Sequence, residues 1–180
     1  MNIQQEIEDA RKQMIEQPDG YGMPMLTVEL DTKEVTLFAL DVLGDNYTIQ
    51  QQEGVMFGIG RDLGVKHKDA RITEILMVSE CWKSLPTHPS HKINPKSDPD
   101  RQELLIIEHW SVSPRLQEFY ELKVVRSGKK VVDCVVPERP EQGGSVQVKS
   151  FYQGFQTKHL SDEELARQLV NAIMGRLRRN

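Results

Sequence analysis

Two segments of this chain are apolar on both faces of an extended strand, and they constrain the fold more than any other feature. Residues 72–82 run ITEILMVSECW, and residues 103–112 run ELLIIEHWSV. Neighbouring side chains of a strand point to opposite faces, so such runs predict central strands of a sheet that is covered on both sides. We therefore expect a sheet with helices packed against it.

Further strands are predicted on either side of this pair. Residues 25–40 alternate apolar and polar side chains around a short polar connection, which predicts a hairpin. Residues 116–136 predict a second hairpin that turns at Ser127-Gly128, where glycine suits a positive φ. Residues 145–155 are expected to form a further, weaker strand.

Helices are predicted at both ends of the sequence and once inside it. Residues 2–17 carry a narrow apolar stripe at helical spacing, and residues 46–66 carry another that several glycines weaken. Residues 162–177 predict the best-defined helix, because Ser161 and Glu164 form a capping-box pattern before it. The expectation is one α+β domain over residues 1–180, with a mostly antiparallel sheet of about six or seven strands and terminal helices packed on it.

Composition limits the classes of partner. The 180 residues carry a net charge of −4, with 38% hydrophobic and 28% charged residues. This is typical of a globular chain, and it argues against a general nucleic-acid coat, which needs a basic surface. The N-terminal segment is polar, and no apolar run reaches the length of a membrane span. These observations predict a cytoplasmic protein without a membrane partner.

No cofactor is predicted. Cys81 and Cys134 form no CxxC pair, and both lie in apolar strand-like runs, so we expect buried, reduced thiols. The segment FGIGRDLG at 57–64 has the spacing GxGxxxG and follows no clean strand. It therefore departs from the dinucleotide fingerprint, which needs GxGxxG after a strand.

The long irregular segment at 83–101 separates the two apolar strands and holds four prolines and two histidines. Loops of this length in compact domains are uncommon and often functional. The pattern of Ser79-Glu80-Cys81-Trp82, this loop, and Asp98-Pro99-Asp100-Arg101-Gln102-Glu103 resembles a loosely defined group of uncharacterised bacterial, archaeal and phage proteins. There, a strand ending SEAW leads through a variable loop to PxxDPxRxE. The resemblance covers about residues 70–110, with Cys81 where alanine is usual. It implies the strand–loop–strand arrangement, points to a phage or mobile-element origin, and brings no established activity.

Candidate metal ligands lie in this loop. His88 and His91 are three residues apart, with Asp98 and Asp100 nearby, and imidazole and carboxylate are metal donors. No third ligand has a fixed spacing, so a solvated polar loop is the favoured interpretation and no metal is predicted.

Four polar residues near the ends of the two strands are the candidate catalytic residues: Glu80, Arg101, Glu103 and His109. Glu80 shares a strand face with Trp82, and Arg101 shares one with Glu103. We expect Arg101 to reach Glu80 or Glu103 beneath Trp82 and to hold the two ends of the loop together.

Three functions remain open at this point. The favoured one is a non-catalytic interaction or regulatory module with a protein partner, or a homo-oligomer that uses a sheet face or a terminal helix. The second is a small hydrolase built on the four polar residues above. The third is a nucleic-acid-associated protein of phage or mobile-element origin, for which the support is the basic tail with Arg176, Arg178 and Arg179.

Overall fold

The computed structural model of the protein describes residues 1–17, 24–40, 47–83 and 101–177, with only the backbone of 169 and 172–177. The chain forms two compact units. The first contains residues 1–46 and 71–145, and the second contains residues 47–70 and 146–180.

The first unit is an antiparallel sheet with one helix. Among the described residues the sheet has seven strands, in the order β2-β1-β3-β4-β5-β6, with β7 paired to β5. This confirms the predicted α+β class and the antiparallel sheet. The elements are α1 (Ile3–Glu16), β1 (Met25–Leu30), β2 (Val35–Ala39), β3 (Ile72–Lys83), β4 (Gln102–Ser111), β5 (Leu116–Ser127), β6 (Lys130–Val135) and β7 (Glu141–Gln142).

Helix α1 begins at a cap and buries one stripe. The side chain of Asn2 accepts a hydrogen bond from the backbone N–H of Gln5. Ile7, Ala10 and Met14 are buried at helical spacing. They form a core with the sheet face that carries Leu76, Val78, Leu105, Ile107, Tyr120 and Leu122. We call this the α1 face of the sheet.

The reverse face of the sheet is also apolar. Alternation along β3 and β4 puts Ile75, Met77, Leu104 and Trp110 on this side, and all four are buried. Both faces of the central strands are therefore buried, as their sequences predict. The β5–β6 hairpin turns at Gly128 with φ 63°, which confirms the predicted glycine turn.

The second unit contains three helices within its described residues. These are α2 (Ile49–Lys66), α3 (Val146–Gln156) and α4 (Asp162–Leu177). Helix α2 begins with a capping box between Thr48 and Gln51. The predicted capping box before α4 is confirmed, because Ser161 and Glu164 exchange backbone-to-side-chain hydrogen bonds of 2.8 and 3.2 Å. The side chains of the predicted stripe beyond Leu165, namely Leu169, Ile173 and Leu177, lie outside the described residues.

Helix α3 spans Val146–Gln156, so the strand predicted over residues 145–155 is wrong. Val148, Phe151 and Phe155 are buried at spacings of three and four, which is a helical period that their β-branched and aromatic character obscures. Helix α3 packs on α2 through glycines. A Cβ on Gly60 would lie 2.0 Å from the carbonyl oxygen of Phe151. Gly154 on α3 makes the reciprocal contact, since its Cβ would lie 2.0 Å from the carbonyl oxygen of Phe57.

Candidate functional site

The two ends of the long loop lie side by side. Lys83 and Gln102 are register partners at the ends of β3 and β4. Next to them, the guanidinium carbon of Arg101 lies 4.2 Å from the ring centroid of Trp82. This cation–π contact joins the residue that precedes β4 to Trp82 near the end of β3.

Glu103 is held by Arg126 of β5, an arginine that the sequence analysis did not consider. Its carboxylate accepts from Nε and Nη2 of Arg126, while Nη1 of that arginine donates to the carbonyl of Lys129 at 2.9 Å. Glu103 is only 6% exposed. Hydrogen bonding to Glu103 raises the pKa of Arg126, and the nearby charge of Glu80 adds to the effect. The clamp on Glu103 therefore links β4 to β5 through Arg126, whereas the sequence predicted that Arg101 would reach Glu80 or Glu103.

His109 lies far from this cluster. It pairs in register with Leu76 and lies six positions along β4 from Glu103, a distance of about 20 Å. Its Nε2 is 3.4 Å from Oε2 of Glu74, and its buried Nδ1 has no hydrogen-bond partner among the described residues. The structure thus brings Glu80 and Glu103 to one end of the α1 face and leaves His109 towards the other.

Glu74 also belongs to an acidic pair near the start of α1. It lies opposite Glu29 on β1, and the amino group of Met1 contacts both carboxylates, at 3.1 and 3.2 Å. Hydrogen bonding from this amino group lowers the pKa of Glu29. The pair lies two residues along the strands from Thr27 and Leu76, on the same face of the sheet.

Glu108 is a buried carboxyl group on the reverse face, opposite in direction to its neighbour His109. Its Oε1 accepts a hydrogen bond of 2.8 Å from the backbone N–H of Ser145. Burial raises the pKa of Glu108, and the hydrogen bond from Ser145 opposes that rise. Gly144 allows this approach, because a Cβ there would lie 2.9 Å from the same oxygen.

Among the described residues, the structure brings none of the remaining candidates together into a site. His88 and His91 lie outside the described residues. Within the described ranges no group of three or more His, Cys, Asp or Glu residues could hold a metal ion. The GxGxxxG glycines lie inside α2, where Gly60 and Gly64 contact α3. Cys134 is buried as expected, whereas Cys81 is only partly buried. Burial raises the pKa of Cys81, and it raises that of Cys134 to about 11.

A groove beside α1 is a feature that the sequence analysis missed. It has a volume of about 480 Å³ and lies between α1 and the β1–β2 edge of the sheet. One wall comes from α1 and its C-cap residue, which together supply Glu6, Asp9, Gln13 and Gln17. These residues follow one another at spacings of three and four, next to the buried stripe, so the helical period places them on a single face. We call this cavity the α1 groove.

The floor of the α1 groove is mostly apolar. Met25 and Thr27 of β1, Leu37 of β2, and Leu76 and Val78 of β3 form it. Leu37 is 61% exposed, although it lies on the same sheet face as the buried core. The described lining thus combines an apolar floor, two amides and two carboxylates, with no lysine or arginine. The spacing of Glu6, Gln13 and Gln17 was visible in the sequence, but the exposure of β2 was not.

Comparison with known proteins found no match: no protein family, curated protein or solved structure resembles this chain closely enough to assign it. Among the described residues, no helix combines the length and the apolar character needed to cross a membrane.

Proposed function

We propose that this protein is a non-catalytic binding module that holds a cationic, partly apolar peptide segment of a partner protein in the α1 groove. The observation that carries the proposal is the lining of this groove. It has an apolar floor, a wall with Glu6 and Asp9, and no basic side chain among its described residues.

Charge supports a cationic occupant. Glu6 and Asp9 stand on one wall of the groove and carry the charge of its described lining. A cationic ligand would find complementary potential along the wall, which favours its association and disfavours acidic competitors. Arginine and lysine side chains supply such charge on an aliphatic stem that can cover apolar surface.

Size and polarity support a peptide segment. The volume of about 480 Å³ falls within the range of sites that take small ligands or a few side chains. Gln13 and Gln17 add polar groups to the same lining. Histidine, serine and cysteine are missing from the described lining, so the groove offers binding groups rather than a nucleophile with its base.

The test uses short labelled peptides in which Lys or Arg alternates with Leu or Val, and matched peptides with Glu in place of the basic residues. Fluorescence anisotropy should show binding of the basic set only, with an affinity that falls as salt rises. The double variant Glu6→Gln/Asp9→Asn should weaken binding about tenfold or more, because two charge contacts of about 0.7 kcal/mol each are lost.

The matched control is Glu8→Gln/Glu16→Gln. It changes the net charge of α1 equally, but Glu8 and Glu16 lie outside the groove, where they pair with Arg11 and Lys12. Equal weakening by both double variants would show that only net charge matters and would refute the groove. Binding of the acidic peptides, or of neither set, would also refute the proposal.

A further inference from the structure

We propose that β2 pairs with β2 of a second copy of this chain, antiparallel about a two-fold axis at Leu37. The two α1 grooves then open onto one trough, whose floor is shared by both copies. The pairing stands on β2 itself, and only the role of the trough rests on the proposed function.

β2 lies at an edge of the sheet, and its own sequence lacks the features that usually protect such an edge. It is the outermost strand on its side of the sheet among the described residues. Its sequence, Val35-Thr36-Leu37-Phe38-Ala39, contains no charged residue and no proline, and Val35 and Leu37 are 58% and 61% exposed. Edge strands normally carry charge, proline or a bulge that prevents pairing with another chain. A five-residue apolar edge without these features is suited to accept a strand.

The opposite edge of the same sheet shows the contrast. β6 carries Lys130 and Asp133, and Arg11 forms an ion pair of 2.7 Å with Asp133. A register shift in the β5–β6 pairing also lies between Val125 and Arg126. These charges and this irregularity are the protective features that β2 lacks.

Hydrogen-bond parity determines which residues of β2 face outward. Leu30 donates to the carbonyl of Glu34 at 2.9 Å, and Leu40 donates to that of Pro24 at 2.8 Å. Opposed residues of an antiparallel pair alternate between bonded and non-bonded, so the backbone groups of even-numbered β2 residues face β1. The N–H and C=O groups of Val35, Leu37 and Ala39 therefore point away from the sheet.

A two-fold axis at Leu37 uses all of these outward groups. It places Leu37 opposite Leu37 of the second copy, and Val35 opposite Ala39 of the second copy. Every outward residue then lies in a bonded pair. The side chains that meet are apolar on the groove face, and Thr36 meets Phe38 on the other face, so no like charges oppose each other. This self-complementarity is what a two-fold symmetric contact requires, and it favours a second copy over an unrelated strand.

The second copy also completes the groove. Leu37 forms part of the groove floor at the side where the sheet ends at β2. Pairing brings Val35 and Leu37 of the second copy alongside, so the apolar floor continues into the other groove. Their exposed side chains become buried against each other, which adds to the backbone pairing.

The first test is the mass of the full chain in solution, measured by light scattering over about a hundredfold range of concentration. We expect a concentration-dependent dimer. Leu37→Pro removes an outward N–H at the axis and leaves the bonds to β1 intact, so it should raise the dimer dissociation constant at least about tenfold. Leu37→Lys should do the same by placing like charges opposite each other. Val132→Lys, on the exposed side of β6, is the matched control and should leave the dimer unchanged.

The second test is amide hydrogen exchange followed by NMR. The amides of Thr36 and Phe38 should be protected at every concentration, and those of Val35, Leu37 and Ala39 only when the dimer forms. A chain that stays monomeric throughout overturns the pairing. Outward amides that become protected only when a peptide is added assign the edge to a partner strand and overturn it too. A dimer that binds no basic peptide refutes the proposed function alone, and a monomer that binds one refutes the pairing alone.

Discussion

Replacing Arg126 by Leu is expected to destabilise the first unit by about 3 kcal/mol. The carboxylate of Glu103 has a side-chain exposure of 5% and accepts two hydrogen bonds from Arg126. Breaking a buried pair by removing one member costs about 3–5 kcal/mol, because the remaining charge stays buried without compensation. Arg126 is itself 26% exposed, so water reaches this end of the pair, and the lower end of that range applies.

The assay is urea denaturation followed by tryptophan fluorescence. Trp82 and Trp110 are the two tryptophans of the chain, and both lie in the same compact unit as the pair. The signal therefore reports the unfolding of that unit. Arg11→Leu is the matched control, since it removes an arginine of the same unit whose ion pair with Asp133 is more exposed, at 34% and 44%, and is therefore worth about 0.2–1 kcal/mol.

A double variant separates the cost of a stranded charge from the worth of the pair. Glu103→Met/Arg126→Leu removes both charges and should recover most of the stability, because replacing a buried ion pair by apolar residues is often neutral. The reasoning is refuted if Arg126→Leu costs less than about 1 kcal/mol, or if the double variant is no more stable than the single one.

Two further predictions concern the helix pair and a buried acid. Gly60→Ala should destabilise the second unit by more than about 2 kcal/mol, because the new methyl group would meet the backbone of Phe151. Gly54→Ala should instead stabilise it by about 0.5–1 kcal/mol, since no atom lies within 4 Å of the new methyl group. Thermal melts in which both variants shift the melting temperature equally would contradict this. Glu108, whose pKa is raised from 4.5, binds more protons in the folded state, so its contribution to stability falls as pH rises above 4.5. Glu108→Gln keeps the acceptor for Ser145 and should flatten that fall, and urea midpoints with the same pH slope in both proteins would contradict it.

The sequence predicted correctly those elements whose own residues carry the pattern, such as a buried stripe at helical spacing or a helix cap. The stripe of α1 and the capping box of Ser161 and Glu164 needed no knowledge of the rest of the chain. Helix α3 was mistaken for a strand because Val146, Val148 and Phe151 favour strands, and the contact that decides the outcome is made with α2, far away in the sequence.

The candidate site was predicted less well, because it depends on register. Counting back from the β4–β5 turn places Leu104 opposite Lys123, which brings Arg126 diagonally onto Glu103. That count requires the turn length, which the sequence alone left open. The α1 groove depends on where α1 lies across the sheet, and no local pattern records this. The polar spacing of Glu6, Gln13 and Gln17 became informative only when the neighbouring strands were known.

Because Lys83 pairs with Gln102, the segment that connects β3 to β4 could be replaced by one of a different length. The ladder from Glu74–Ser111 to Lys83–Gln102 itself holds the ends of these two strands together. A tight turn of about four residues could span the same ends, and the shorter closure would cost the unfolded chain about 1 kcal/mol less entropy on folding. Insertions at this place would be tolerated for the same reason. The length and chemistry of this segment can therefore be changed without redesigning the sheet, and a foreign sequence can be grafted there.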